Sequence, residues 1–252
     1  MECPVFGISR HRIATDGEGV TTLVAFHRCT LHCHYCLNPQ SLDPTTPCQV
    51  LTPEALLDAT LIDNLYFLAT GGGITFGGGE PALRHDFILR FREICPPEWK
   101  LFIETSLNVP RANVEALTGA IDHFIVDVKD THPAIYHAYT GGDVERVLSN
   151  LRYLADKGLQ ERVTLRLPLI PEYNTEADID ESEQCLREMG FTLFDRFEYL
   201  TPEAIGPHAL KKRHNAAKAP QEPIKNYNND QQQNHRIIRN KISRHPGRDG
   251  MD

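Results

Sequence analysis

Between residues 20 and 200, short apolar runs rich in β-branched residues alternate with longer stretches in which apolar positions recur every three or four residues. The short runs, at 21–26, 74–76, 101–104, 124–128, 163–167 and 196–200, predict strands. The longer stretches predict helices at 53–68, 85–94, 111–117, 144–157 and 176–189. Thr52 followed by Pro53 is a favourable entry to the first of these, a cap residue before Pro at the first helical position. Six strands with intervening helices predict repeated βα units, and so an α/β fold with a parallel sheet wrapped by helices. Six units are fewer than a closed eight-unit barrel needs, so an open or partial barrel is expected.

The pattern changes near residue 210. Residues 211–252 are polar, Asn/Gln-rich and nearly free of apolar periodicity, and are expected to form a disordered tail beyond one folded domain at 1–210. Charge divides in the same way: ten Lys/Arg stand against four Asp/Glu in 211–252, leaving 16 basic and 30 acidic residues in 1–210. An acidic folded part argues against general nucleic-acid binding. No run approaches the roughly 20 apolar residues that span a bilayer. With no targeting segment evident, no membrane partner is expected and the cytoplasm is the expected compartment, where thiols stay reduced.

Thiols are where chemistry first shows. Cys29, Cys33 and Cys36 follow the first predicted strand in a C-x3-C-x2-C pattern, offering three thiolates to one centre with no evident fourth. A four-iron cluster held by three Cys keeps one iron open to an outside ligand. Zinc completed by His27, His32 or His34 is the alternative, but the usual second ligand pair is missing. The count of seven Cys is odd, which counts against a disulfide framework.

Ligands of parallel α/β folds gather beyond the carboxyl ends of the strands, and polar groups recur there. Gly77-Gly78-Gly79-Glu80-Pro81 follows the second predicted strand, a run that lets backbone approach a ligand closely or simply makes a tight turn. Glu104, Thr105 and Ser106 end the third. Asp127 and Lys129 end the fourth and share a face by the two-residue period, as a zwitterion site or a structural ion pair. Arg166 interrupts the apolar fifth strand, so it lines a polar cavity or anchors a core carboxylate.

With Tyr35 before the last Cys, and with Gly78-Gly79-Glu80-Pro81 in its place, the sequence resembles the radical S-adenosylmethionine (SAM) superfamily. Within it, the chain is similar to the activating enzymes of glycyl radical enzymes, of the pyruvate formate-lyase type. The similarity runs through Asn38-Pro39, 71–76, Asp127-Val128-Lys129, Thr140-Gly141-Gly142, Asn150-Leu151 and 166–171, and covers roughly residues 20–200. This resemblance implies a partial (β/α)6 barrel in which Cys29, Cys33 and Cys36 hold a [4Fe-4S] cluster and the fourth iron is chelated by SAM. It further implies that Gly78, Gly79 and Glu80 face the methionine end and that Tyr35 lies against the adenine. Glu104, Asp127, Lys129 and Arg166 would line the cofactor's polar groups. The implied reaction is reductive cleavage of SAM to a 5′-deoxyadenosyl radical, which takes hydrogen from a glycine of a partner enzyme. Reduced flavodoxin or ferredoxin would supply the electron.

Four positions differ from the family's usual residues: Arg28 and Glu172 replace Gly, Gly77 replaces Ser, and Glu104 replaces Asp. Past Leu200 the similarity fades, with His208 the one candidate for the family's C-terminal His. Two other functions compete: a radical SAM enzyme acting on a small molecule such as a deazapurine precursor, and a metal-binding module without turnover.

Overall fold

The structure, a computed structural model, describes residues 1–13 and 15–199. The expected tail at 211–252, the domain boundary near 210, Leu200 and His208 lie outside the described residues. Eight strands form one sheet in the order β3-β1-β2-β4-β5-β6-β7-β8. They are β1 (Cys3–Ile13), β2 (Val20–Phe26), β3 (Gln49–Leu51), β4 (Gly73–Gly78), β5 (Lys100–Thr105), β6 (His123–Asp127), β7 (Val163–Leu169) and β8 (Leu193–Glu198). The six from β2 to β8, leaving β3 aside, are all parallel and correspond to the six predicted strands. The α/β class and the partial-barrel order of strands follow the expectation.

Seven helices accompany the strands: α1 (Pro53–Thr60), α2 (Asn64–Thr70), α3 (His85–Ile94), α4 (Arg111–Leu117), α5 (Pro133–Thr140), α6 (Val144–Asp156) and α7 (Glu176–Glu188). The helix predicted at 53–68 is broken into α1 and α2 by a 3-10 turn at Leu61–Asp63. The cause lies in Asp63, a buried carboxylate that pairs with Arg10 and accepts from the Thr22 hydroxyl at 2.8 Å. Its place beside β1 and β2 sets where the helix bends.

Three elements escaped the sequence pattern: β1, the three-residue β3 and the helix α5. β1 pairs antiparallel with β2 and β3, and its register shifts twice, near Val5/Gly7 and Ser9/Arg12, with His11 at a φ of 54°. These bulges and its run of exposed polar residues erase the two-residue alternation. Helix α5 is only eight residues long, has Pro133 at its start and ends on Gly141 at a φ of 69°. Its buried positions are Tyr136, Tyr139 and Thr140, residues with polar ends that draw no apolar stripe.

Alternation along the parallel strands builds the core and the site together. Phe26, Ile74, Phe76, Leu101, Ile103, Phe124, Val126, Val163 and Leu165 are fully buried under the helices. Phe26 stacks on Phe76 with ring centroids 5.7 Å apart, and Phe87 meets Phe26 edge-on at 5.4 Å. Glu104, Asp127 and Arg166 occupy alternate strand positions, the other face of the pleat. Buried amides tie the loops at the strand ends: Asn150 Nδ2 donates to the Leu107 and Val109 carbonyls at 2.9 Å each, and Asn174 Nδ2 to the Pro168 carbonyl at 3.1 Å.

Candidate functional site

β2 ends at Phe26, and the chain turns into the cysteine loop at Arg28, whose φ of 85° is left-handed. The Arg28 N–H donates to the Ser41 carbonyl at 2.8 Å, and the Arg28 carbonyl accepts from the Glu80 N–H at 2.8 Å. Gly79 N–H donates to the Phe26 carbonyl at 2.9 Å, and Asn38 Nδ2 to the Gly78 carbonyl at 3.0 Å. The cysteine loop and the glycine turn after β4 are therefore laced main chain to main chain. A Cβ at Gly79 would fall 2.0 Å from the Arg28 carbonyl oxygen, so this closeness requires glycine. On its other flank the loop is held by α5, with His32 N–H donating to the Thr140 carbonyl at 2.9 Å and His34 N–H to the Tyr139 carbonyl at 3.1 Å.

All seven cysteines are free. Cys29 and Cys33 pack partly buried against the core, and burial pushes their thiols up to about 12 and about 11. Ionising such thiols requires a compensating cation, which metal binding supplies as it displaces the protons. Among the described residues no three His, Cys, Asp or Glu side chains converge on one metal ion. The histidines weighed for zinc are in part used elsewhere: His27 Nε2 lies 2.9 Å from the Asp43 carbonyl, and the His34 ring packs 5.3 Å from Tyr173. A four-iron cluster takes its thiolates on separate irons and needs no such convergence. The Tyr136 hydroxyl adds to the fit. It is buried without a hydrogen-bond partner among the described residues, and burial, then Cys33 and Glu80, raise its pKa. A buried donor left unpaired beside thiols fits a group rich in acceptors such as an iron–sulfur cluster.

Glu80, 1% exposed, turns its carboxylate to the end of β5. One oxygen accepts from the Thr105 hydroxyl at 2.5 Å and the Ala82 N–H at 3.1 Å; the other accepts from the Ser106 N–H at 3.0 Å and hydroxyl at 2.6 Å. Burial raises its pKa, and these four bonds oppose the rise. Glu80 thus joins the glycine turn to β5 as well as to β2. Lys129 Nζ donates to Asp127 at 2.9 Å and sits 5.9 Å from the centre of the Tyr199 ring. Burial works against the Lys129 charge, but Asp127 and Cys33 outweigh it and hold the ammonium above the usual lysine range.

Arg166 Nη1 donates to Glu104 at 2.8 Å, with Asp127 at 3.9 Å and Asp195 at 3.7 Å, and Nη2 donates to the Thr15 carbonyl. Asp127 and Asp195 are its neighbours by register, one on each side, while Glu104 reaches it from β5. Tyr35 joins an aromatic group with Tyr139, Tyr173 and Tyr199, centroids 6.1, 5.9 and 6.3 Å away. The Tyr199 hydroxyl donates to the Tyr35 carbonyl, and the Tyr35 hydroxyl to Glu172 at 3.2 Å.

The residues singled out from sequence therefore fall into three connected sets. Cys29, Cys33 and Cys36 share a loop laced to Gly78, Gly79 and Glu80; Asp127, Lys129, Arg166 and Glu104 form one charged chain; Tyr35 stands in the tyrosine group. Sequence reasoning placed Thr105 and Ser106 at a strand end but missed their partner, Glu80, some 25 residues away. It also missed Tyr136, Tyr139 and Tyr173, which flank the segments Thr140-Gly141-Gly142 and 166–171 without belonging to either.

Comparison with known proteins accords with this geometry. Residues 23–183 match the radical SAM superfamily. The chain is 28% identical over 200 residues to the pyruvate formate-lyase 2-activating enzyme of Escherichia coli, covering 67% of each chain. It is 30% identical over 180 residues to the (2S)-3-sulfopropanediol dehydratase activating enzyme of Klebsiella oxytoca, covering 69% of this chain but only 55% of that one. Streptococcus suis SuiB, solved with its precursor peptide SuiA, superposes with a TM-score of 0.55 at 16% identity, over 70% of this chain and 38% of that one, which shows a shared fold. The three-thiol loop, the glycine turn locked onto it, the parallel sheet and the match over 23–183 agree: the chain belongs to the radical SAM superfamily.

Proposed function

We propose that this protein is a radical SAM activating enzyme that takes a hydrogen atom from a glycine of a separate glycyl radical enzyme. The observation that carries the reading is the lacing of the cysteine loop to the glycine turn and, through Glu80, to Thr105 and Ser106. Three strand ends, those of β2, β4 and β5, thereby act as one rigid frame. Similarity to two activating enzymes supports a protein rather than a small molecule as substrate.

In this reading Cys29, Cys33 and Cys36 hold a [4Fe-4S] cluster. Gly78, Gly79 and Glu80 border the methionine end of SAM, Tyr35 its adenine, and Glu104, Asp127, Lys129 and Arg166 its polar groups. When bound, the cluster and SAM supply the electron and the 5′-deoxyadenosyl radical to which the glycine hydrogen passes. The chain's own share is position and protection. Lys129, kept protonated by Asp127, is a fixed cation that needs no reorganisation when an anionic group arrives. Glu80 spends its acceptors on Thr105 and Ser106, so it orients those hydroxyls and its own main chain. Arg166 donates to Glu104 in the sheet interior and keeps its polar lining in register.

The electron donor in this proposal is a reduced carrier of the flavodoxin or ferredoxin type. The compartment is the cytoplasm, and the working domain is 1–210 with 211–252 as an appended tail. Among the described residues no helix is long and apolar enough to cross a membrane. The test is anaerobic reconstitution with iron and sulfide, reduction with dithionite, addition of SAM and quantification of 5′-deoxyadenosine. Product well above that of a Cys29→Ala, Cys33→Ala, Cys36→Ala triple variant is expected. A fully assembled cluster that yields none would overturn the reading.

A further inference from the structure

Each cysteine of the loop has an exposed neighbour: Arg28 precedes Cys29, His32 and His34 flank Cys33, and Leu37 follows Cys36. The three cysteines are themselves only half-buried, and the loop's exposed residues lie next to the thiols in the chain. The loop is also a fixed surface, since Arg28, His32 and His34 are all anchored through their main-chain N–H groups.

Arg28 stands out within it. Its φ of 85° is a conformation that residues with a Cβ rarely adopt. The guanidinium is exposed and makes no hydrogen bond or ion pair with any described residue. Folding of the loop uses only the Arg28 main chain, so nothing in the packing accounts for retaining a strained, long, charged side chain. Charge around it is distinctive too. Residues 19–42 contain no Asp or Glu, whereas residues 1–210 carry 30 acidic against 16 basic side chains. The loop's own segment thus contributes no carboxylate, and Glu172 reaches it from outside at Tyr35. Leu37, 58% exposed, adds an apolar contact to the loop.

We infer that the outer face of the cysteine loop, with Arg28 as its charged anchor and Leu37 as its apolar contact, is the docking surface for an acidic one-electron carrier protein. The inference rests on the proposed function, which requires an outside electron. Carboxylates of the carrier are drawn to Arg28 while the acidic balance of residues 1–210 disfavours approach elsewhere on that part of the chain, so charge favours the orientation that brings the carrier to the cysteine loop. A small, weak contact of this kind suits redox encounters. One electron leaves the carrier, which is oxidised by one, and enters the centre held by the thiols, which is reduced by one; no bond forms or breaks.

The test compares the reconstituted wild type with Arg28→Gly, which keeps both main-chain hydrogen bonds and relieves the left-handed strain, and Arg28→Lys, which keeps the charge. The probe is a reduced acidic flavodoxin, mixed anaerobically by stopped flow at a series of salt concentrations. Arg28→Gly is expected to lower the second-order rate of cluster reduction roughly three- to tenfold at low salt and to flatten its salt dependence. Arg28→Lys is expected to restore most of the rate, and the affinity of oxidised flavodoxin for the chain as purified should follow the same order. Dithionite-driven 5′-deoxyadenosine formation should be equal in all three. An equal loss with flavodoxin and with dithionite would assign Arg28 to the cluster itself and overturn the proposal, as would flavodoxin rates indifferent to the substitution. Failure of wild type with dithionite alone would instead count against the proposed function, while flavodoxin affinity still reads the surface.

Discussion

Arg28 and Glu172 hold φ angles of 85° and 72°, and the family resemblance implies Gly at both positions. Departures that look like ordinary surface substitutions in sequence are thus backbone positions under strain. In a Tyr35→Phe background, which removes the Tyr35–Glu172 hydrogen bond from both proteins, Glu172→Gly is expected to raise unfolding stability by about 0.5 to 1 kcal/mol, the left-handed penalty less the entropy that glycine loses on folding; an unchanged or lower melting temperature would count against that strain. Glu104, read from sequence as a ligand to the cofactor, makes its shortest contact with Arg166. Burial lifts its carboxyl from 4.5 to about 7, with Arg166 opposing and Asp16 and Asp127 reinforcing the rise. The folded chain therefore holds a proton that the unfolded chain releases near pH 4.5, and the stability this proton brings is complete below that pH and lost as pH rises through about 7. Glu104→Gln cannot titrate, so its unfolding free energy in urea should fall less steeply than wild type between those two pH values. Identical slopes would show that Glu104 is ionised throughout.

At the level of elements, the site depends on how the ends of β2, β4 and β5 meet. Parallel register sets Phe26 beside Gly78, and the Arg28 and Gly79 main chains then touch. Gly79→Ala places a Cβ 2.0 Å from the Arg28 carbonyl, so the turn and the cysteine loop must separate. Loss of the Glu80 N–H bond to Arg28 is expected to cost about 1 to 3 kcal/mol, and iron and sulfide content after reconstitution should fall with it. Full iron loading in a chain as stable as wild type would contradict the lacing. The parallel strands were legible because β-branched runs between helical stretches are a local signal. β1 was not, because its bulges and polar exposed face break the alternation. The bend between α1 and α2 was not, because it is set by Asp63 reaching Arg10 and Thr22, partners distant in sequence.

For the whole molecule the same division holds between what is local and what is assembled. The cysteine spacing and the glycine run could be read directly, since each is contiguous in the chain. The pairing of Glu80 with Thr105 and Ser106, the Glu104–Arg166–Asp127–Lys129 chain and the orphaned Tyr136 hydroxyl arise only when the sheet brings separate strands side by side. The sheet thus gathers at its strand ends the thiols, in a loop segment that contributes no carboxylate of its own, and a fixed cation beside it. The most direct measurement of its function follows the hydrogen atom. A glycyl radical enzyme labelled with deuterium on its glycine α-carbons is incubated anaerobically with the reconstituted, reduced protein and SAM, and the 5′-deoxyadenosine is analysed by mass spectrometry. One deuterium in the product, together with a glycyl radical signal on the labelled partner, is the expected result. 5′-Deoxyadenosine formed without deuterium, and with no radical on the partner, would contradict it.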